Sequence, residues 1–74
     1  MVKRYSVTLH GHRTSVSLEP EFWAVLKQVA EQNGLSLAAL IQSIDDERLN
    51  AGPPTGLSSA LRLYLLKHLQ NRKV

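Results

Sequence analysis

Arg13-Thr14-Ser15-Val16-Ser17-Leu18-Glu19-Pro20 is the stretch that decides the fold of this chain. Its first six residues alternate as a half-buried strand does, with Thr14, Val16 and Leu18 on one face and Arg13, Ser15 and Ser17 on the other. The next residues switch the backbone from strand to helix. Pro20 suits the first helical position, Glu19 is placed to cap, and Glu21 sets negative charge near the positive end of the helix dipole. A strand over 13–18 therefore runs directly into a helix.

Upstream, Arg4-Tyr5-Ser6-Val7-Thr8-Leu9 carries the same R-x-S-V-x-L pattern, with Tyr5, Val7 and Leu9 on one face and Arg4, Ser6 and Thr8 on the other. His10-Gly11-His12 between the two copies is short enough for a hairpin loop, because Gly11 is free to take a positive φ. Two arrangements satisfy this pattern. In one, residues 4–9 form an extra strand that folds back on 13–18; in the other, the strand over 13–18 has no partner in its own chain and needs a second subunit.

Downstream, Phe22, Trp23, Leu26, Val29 and Ala30 make a single apolar face on a helix over 20–32, which Asn33-Gly34 closes. Ser36 is placed as the N-cap of a second helix over 36–49, with Leu37, Leu40, Ile41 and Ile44 as its buried face. Asp45-Asp46-Glu47 opposes the dipole and reads as a solvated helix end that frays near Leu49. Asn50 to Gly56, with Pro53-Pro54 inside it, is a loop. A third helix over 57–70 aligns Leu57, Leu61, Tyr64, Leu65 and His68, while Leu63, Leu66 and Leu69 widen the stripe enough to imply more than one neighbour. The tail, with Arg72 and Lys73, complements that helix's dipole.

With 74 residues and no cysteine, the chain makes one small domain over 1–74 that disulfides cannot reinforce. Oligomerisation is then the expected source of extra stability. Its apolar residues fall in periodic segments, so neither a membrane span nor a secretory signal is expected, and a cytoplasmic location is the default. The net charge of +3 is uneven. Residues 1–18 hold Lys3, Arg4 and Arg13 with no acid, all six acids lie within 19–47, and basic residues return after that, a distribution compatible with an anionic partner. Nothing sets a nucleophile beside a positioned base, and no glycine-rich phosphate loop occurs, so no enzyme and no cofactor are expected. His10 and His12 are two imidazoles without a third ligand nearby, and no metal is expected there.

The order of R-x-S-V-x-L, an amphipathic helix, G-L-S at 34–36 and a second helix resembles the ribbon-helix-helix DNA-binding superfamily over residues 13–47. G-H-R-T-S-V-S-L-E-P-E-F-W at 11–23 and L-S-S-A-L-R-L-Y at 57–64 look like a bacterial subfamily with a third, C-terminal helix, extending the resemblance over most of the chain. The resemblance implies an α+β, mainly α fold: an intertwined homodimer in which the strand 13–18 pairs antiparallel with its copy. It implies that Arg13, Ser15 and Ser17 enter the major groove of double-stranded DNA and contact bases. The amides of Leu35, Ser36 and Leu37, helped by Lys3 and Arg4, would then hold phosphates. Thr14, Val16, Leu18, Phe22, Trp23, Leu26, Leu40, Ile41 and Ile44 would form the dimer core. The expected function is a sequence-specific transcriptional regulator, repressor- or antitoxin-like. The alternative is a protein-interaction module whose ribbon makes the dimer and whose third helix recruits a partner or builds a higher oligomer.

Overall fold

A computed structural model describes residues 1–51 and 56–71, and the order of its elements is strand, strand, helix, helix, helix. These are β1 (Lys3–Leu9), β2 (His12–Leu18), α1 (Pro20–Gln32), α2 (Leu37–Asn50) and α3 (Leu57–Gln70). The residues Gly52, Pro53, Pro54 and Thr55 of the expected loop, and Arg72, Lys73 and Val74 of the basic tail, lie outside the described residues.

Of the two arrangements that the repeated strand pattern allows, the chain adopts the hairpin. β1 and β2 pair antiparallel from Lys3 opposite Leu18 to Leu9 opposite His12. The reason is the two-residue turn: His10 at φ 53° and Gly11 at φ 77° both take the left-handed conformation, and such turns match the natural twist of paired strands. Residues 4–9, open between two arrangements in the sequence, thus lie within a strand that folds back on 13–18. One edge of β2 is satisfied by β1, and each strand of this two-stranded sheet keeps one edge unpaired among the described residues.

Alternation divides the hairpin into two faces. Val7, Leu9, Val16 and Leu18 are buried on the inner one, joined by the half-buried Tyr5 and Thr14. Leu18, Leu26, Ile41, Leu61 and Leu65 are fully enclosed, so the sheet and all three helices contribute to one core. The residues expected to form a dimer core thus pack within a single chain. Phe22 and Trp23 sit at its margin, half-buried, and Trp23 stacks on Tyr5 with ring centroids 4.0 Å apart and planes 7° from parallel. That stack fixes the hairpin on α1.

Two further ties hold the hairpin and the helices in place. The turn amide of His10 donates to Gln42 Oε1 at 2.9 Å, and His10 Nε2 lies 2.7 Å from Asp46 Oδ1, clasping the turn to α2. Across the molecule, Arg62 of α3 donates from Nε and a terminal nitrogen to Glu19 Oε1, at 3.0 and 2.9 Å. Glu19 does occupy the N-cap position of α1, but its side chain makes no cap hydrogen bond because Arg62 holds it. Its own backbone amide first, and the Arg62 guanidinium second, hold the Glu19 carboxyl below the ordinary glutamate range. A carboxylate whose folded pKa is depressed stabilises the fold above its unfolded value and loses that contribution as pH falls through the folded one. Glu19→Gln is therefore expected to flatten the acid side of the stability profile, read as a smaller drop in urea midpoint between pH 6 and pH 3 than the parent chain shows.

The turn between α1 and α2 follows its sequence closely. Gly34 at φ 68° lets its amide donate to Glu31 O and the Leu35 amide donate to Ala30 O, the paired bonds of a left-handed helix stop. Ser36 then caps α2, its hydroxyl accepting from the Ala39 amide at 3.1 Å. At the other end, the expected solvated acidic run is corrected in part. Asp45 is buried at 8% exposure, and its Oδ1 accepts from Arg48 Nε at 2.8 Å and Arg48 Nη2 at 2.6 Å. Asp46 takes the His10 contact, and Glu47 is exposed. With two of its acids engaged, α2 runs to Asn50.

Candidate nucleic-acid interface

The outer face of the hairpin brings together six side chains. Arg13, Ser15 and Ser17 of β2 are all exposed, as are Arg4, Ser6 and Thr8 of β1. The pairing sets Arg4 beside Ser17, Ser6 beside Ser15, and Thr8 beside Arg13. No acid lies anywhere on the two strands. Such a face is strongly hydrated and offers two guanidinium forks together with four short hydroxyls, groups that match the donors and acceptors on base edges. Sequence reasoning assigned no role to Ser6 and Thr8, although the repeat of R-x-S in both strands was the signal for them.

Lys3 stands on the inner side by alternation, at the open end of the hairpin, with its Nζ 6.0 Å from the centroid of the Tyr5 ring. The start of α2 is a separate element. Leu35 and Ser36 are exposed and Leu37 is half-buried. The Leu35 amide is already committed to Ala30 O, which leaves the amides of Ser36 and Leu37 as the donors an anion meets first at the positive end of that helix.

Other surfaces gather less chemistry. A cleft between α2 and α3 is lined by Ile44, Glu47, Arg48, Leu63, Tyr64 and Lys67 among others. Among the described residues, no three His, Cys, Asp or Glu side chains converge as a metal site requires. No described helix is long and apolar enough to cross a membrane. On α3, Leu61 and Leu65 face the core, while Leu63, Leu66 and Leu69 are 51, 50 and 47% exposed. The wide leucine stripe expected on this helix is thus divided between a buried row and an open one.

Comparison with known proteins agrees with this architecture. A family model described as ribbon-helix-helix domain matches residues 1–69, which takes in the hairpin and all but the last residue of α3. No curated protein and no solved structure matched the chain. Proteins of this family are generally DNA-binding transcription regulators, typically without enzymatic activity, and they usually dimerise. With that match over residues 1–69 and its α+β, mainly helical fold, the chain belongs to the ribbon-helix-helix family.

Proposed function

We propose that this protein is a sequence-specific, DNA-binding transcriptional regulator of repressor or antitoxin type, acting as a homodimer in the bacterial cytoplasm. Arg13, Ser15 and Ser17 read base edges in the major groove. An arginine bonds a guanine edge through two parallel N–H donors, and serine hydroxyls donate or accept toward either strand. The amides of Ser36 and Leu37 hold a phosphate at the start of α2, and Lys3 adds a backbone contact at the open end of the hairpin. The observation that carries this reading is the exposed, acid-free polar face of a hairpin whose opposite face is locked into the core. A rigid support is what positions side chains for groove reading.

Selection from a random double-stranded DNA library tests the proposal. The expected result is enrichment of a short two-fold-related sequence, with log affinity falling linearly against log salt as phosphate contacts release counterions. A second reading is favoured by the exposed row of Leu63, Leu66 and Leu69, namely a protein-interaction module in which α3 recruits a partner or a second dimer. No enriched sequence, alongside a tetramer or heteromeric complex in solution, supports that second reading and overturns the first.

A further inference from the structure

The cleft between α2 and α3 carries charge of opposite sign on its two walls. Glu47 lines it from α2 and Lys67 from α3, and Ile44 and Leu63 supply apolar surface between them. Both charged side chains are exposed, and among the described residues neither takes part in an ion pair. Their own helices offer them nothing, because no residue of opposite charge stands three or four positions from either one. Arg48 lines the same cleft but is held by Asp45. Leu66, 50% exposed, continues the open apolar surface of Leu63 one turn further along α3. An apolar ridge thus stands beside a cleft that bears one unpaired anion and one unpaired cation.

We propose that this face joins two copies of the chain, each seating its Leu63 and Leu66 ridge against the cleft of the other. A two-fold axis perpendicular to the face, midway between Glu47 and Lys67, exchanges the positions of those two residues. Each chain's lysine then lies over the other chain's glutamate, and one contact contains the pair twice. That is the self-complementary pattern which an interface between identical subunits requires. The charges also select the occupant. A strongly acidic partner would meet Lys67 well and Glu47 badly, and a basic partner the reverse, whereas a second copy satisfies both. The inference rests on α3 acting as an interaction surface and names what that surface takes. The open edge of β2 plays no part in this contact and remains available for the homodimer, so the contact through α2 and α3 joins two dimers into a tetramer.

Sedimentation equilibrium on the full chain over rising concentration tests this, using wild type, Glu47→Lys, Lys67→Glu, the double variant, and an equimolar mixture of the two single variants. Both side chains are exposed, so circular dichroism should show an unchanged fold. Wild type is expected to pass from dimer to tetramer, less readily as salt rises. Each single variant sets like charges against each other twice and should weaken that step by about 10-fold or more. The double variant should regain it, because the two charges have only changed places. The mixture should regain it too, because each variant then meets its complement, and only a contact between chains can be rescued in that way. The inference is overturned if wild type forms nothing larger than a dimer, if the single variants assemble as wild type does, or if neither the double variant nor the mixture recovers what the single variants lose. A wild type that stays dimeric yet enriches a DNA sequence overturns this inference and leaves the DNA-binding reading standing. A tetramer with the expected charge dependence supports the inference whether or not any DNA sequence is enriched.

Discussion

Leu61→Ala is expected to lower the unfolding free energy by about 2–5 kcal/mol, the usual cost of removing a buried leucine side chain with partial collapse of the space it leaves. Leu61 is fully enclosed and belongs to the same core as Leu18 of β2, Leu26 of α1 and Ile41 of α2. Domains hold roughly 0.05–0.15 kcal/mol per residue, which is about 4–11 kcal/mol for a chain of this length. One substitution would therefore remove from about a fifth of the total to all of it, and at the upper end would leave the protein largely unfolded. Leu63→Ala, two residues along on the open side of α3, is expected to change stability by no more than about 0.5 kcal/mol. Urea titration of the two variants measures the difference. Equal losses at both positions, or none at Leu61, would mean that α3 does not pack against the hairpin and α2 as described.

Arg13→Ala is expected to leave the fold intact and to weaken binding to a selected duplex by about 1–3 kcal/mol, or roughly 5- to 150-fold. Its side chain lies on the exposed outer face, and among the described residues it makes no hydrogen bond or ion pair. The loss should be confined to the preferred sequence. Binding to a scrambled duplex changes only as the removal of one positive charge requires, so the ratio of specific to non-specific affinity falls. Parallel titrations on both duplexes at one fixed salt concentration check this, and an unchanged ratio would remove Arg13 from the reading set.

Much of this architecture was legible in the residues themselves. Period-two alternation marked both strands, Ser36 and Gly34 marked the ends of α2 and α1, and the apolar stripes named most of the core. These signals are local, so a sequence carries them directly. The choice between a hairpin and an unpartnered strand was not legible, because alternation is the same in either case. What decides it includes a non-glycine residue, His10, at positive φ, and the grip of Gln42 and Asp46 on that turn from more than thirty positions away. Glu19 illustrates the same limit: its position suits a cap, but Arg62 lies 43 residues further along the chain and takes the carboxylate. Asp45 is different, since Arg48 three positions on was a readable helix pair, and the net charge of the run concealed it. For the candidate interface, the repeated R-x-S was visible, yet its meaning depends on the register that places Ser6 opposite Ser15.

The register also bears on how two chains could share a site. β1 occupies one edge of β2 and the other edge stays open among the described residues, so a second chain meets either that open edge or the helical surface. On the helical surface, Leu63, Leu66 and Leu69 form an exposed apolar row on α3, with Leu35 and Leu49 also exposed. The same row would serve the protein-interaction reading, so the residues that move when DNA is added discriminate between the two.

Backbone amide chemical-shift mapping on the full chain, with a selected duplex titrated in, tests the central claim most directly. The expected result is shifts concentrated along β2 at Arg13, Ser15 and Ser17 and at the Ser36 and Leu37 amides, with Leu61 and Leu65 unmoved. Shifts confined to α3 around Leu63, Leu66 and Leu69, with the hairpin unchanged, would contradict it.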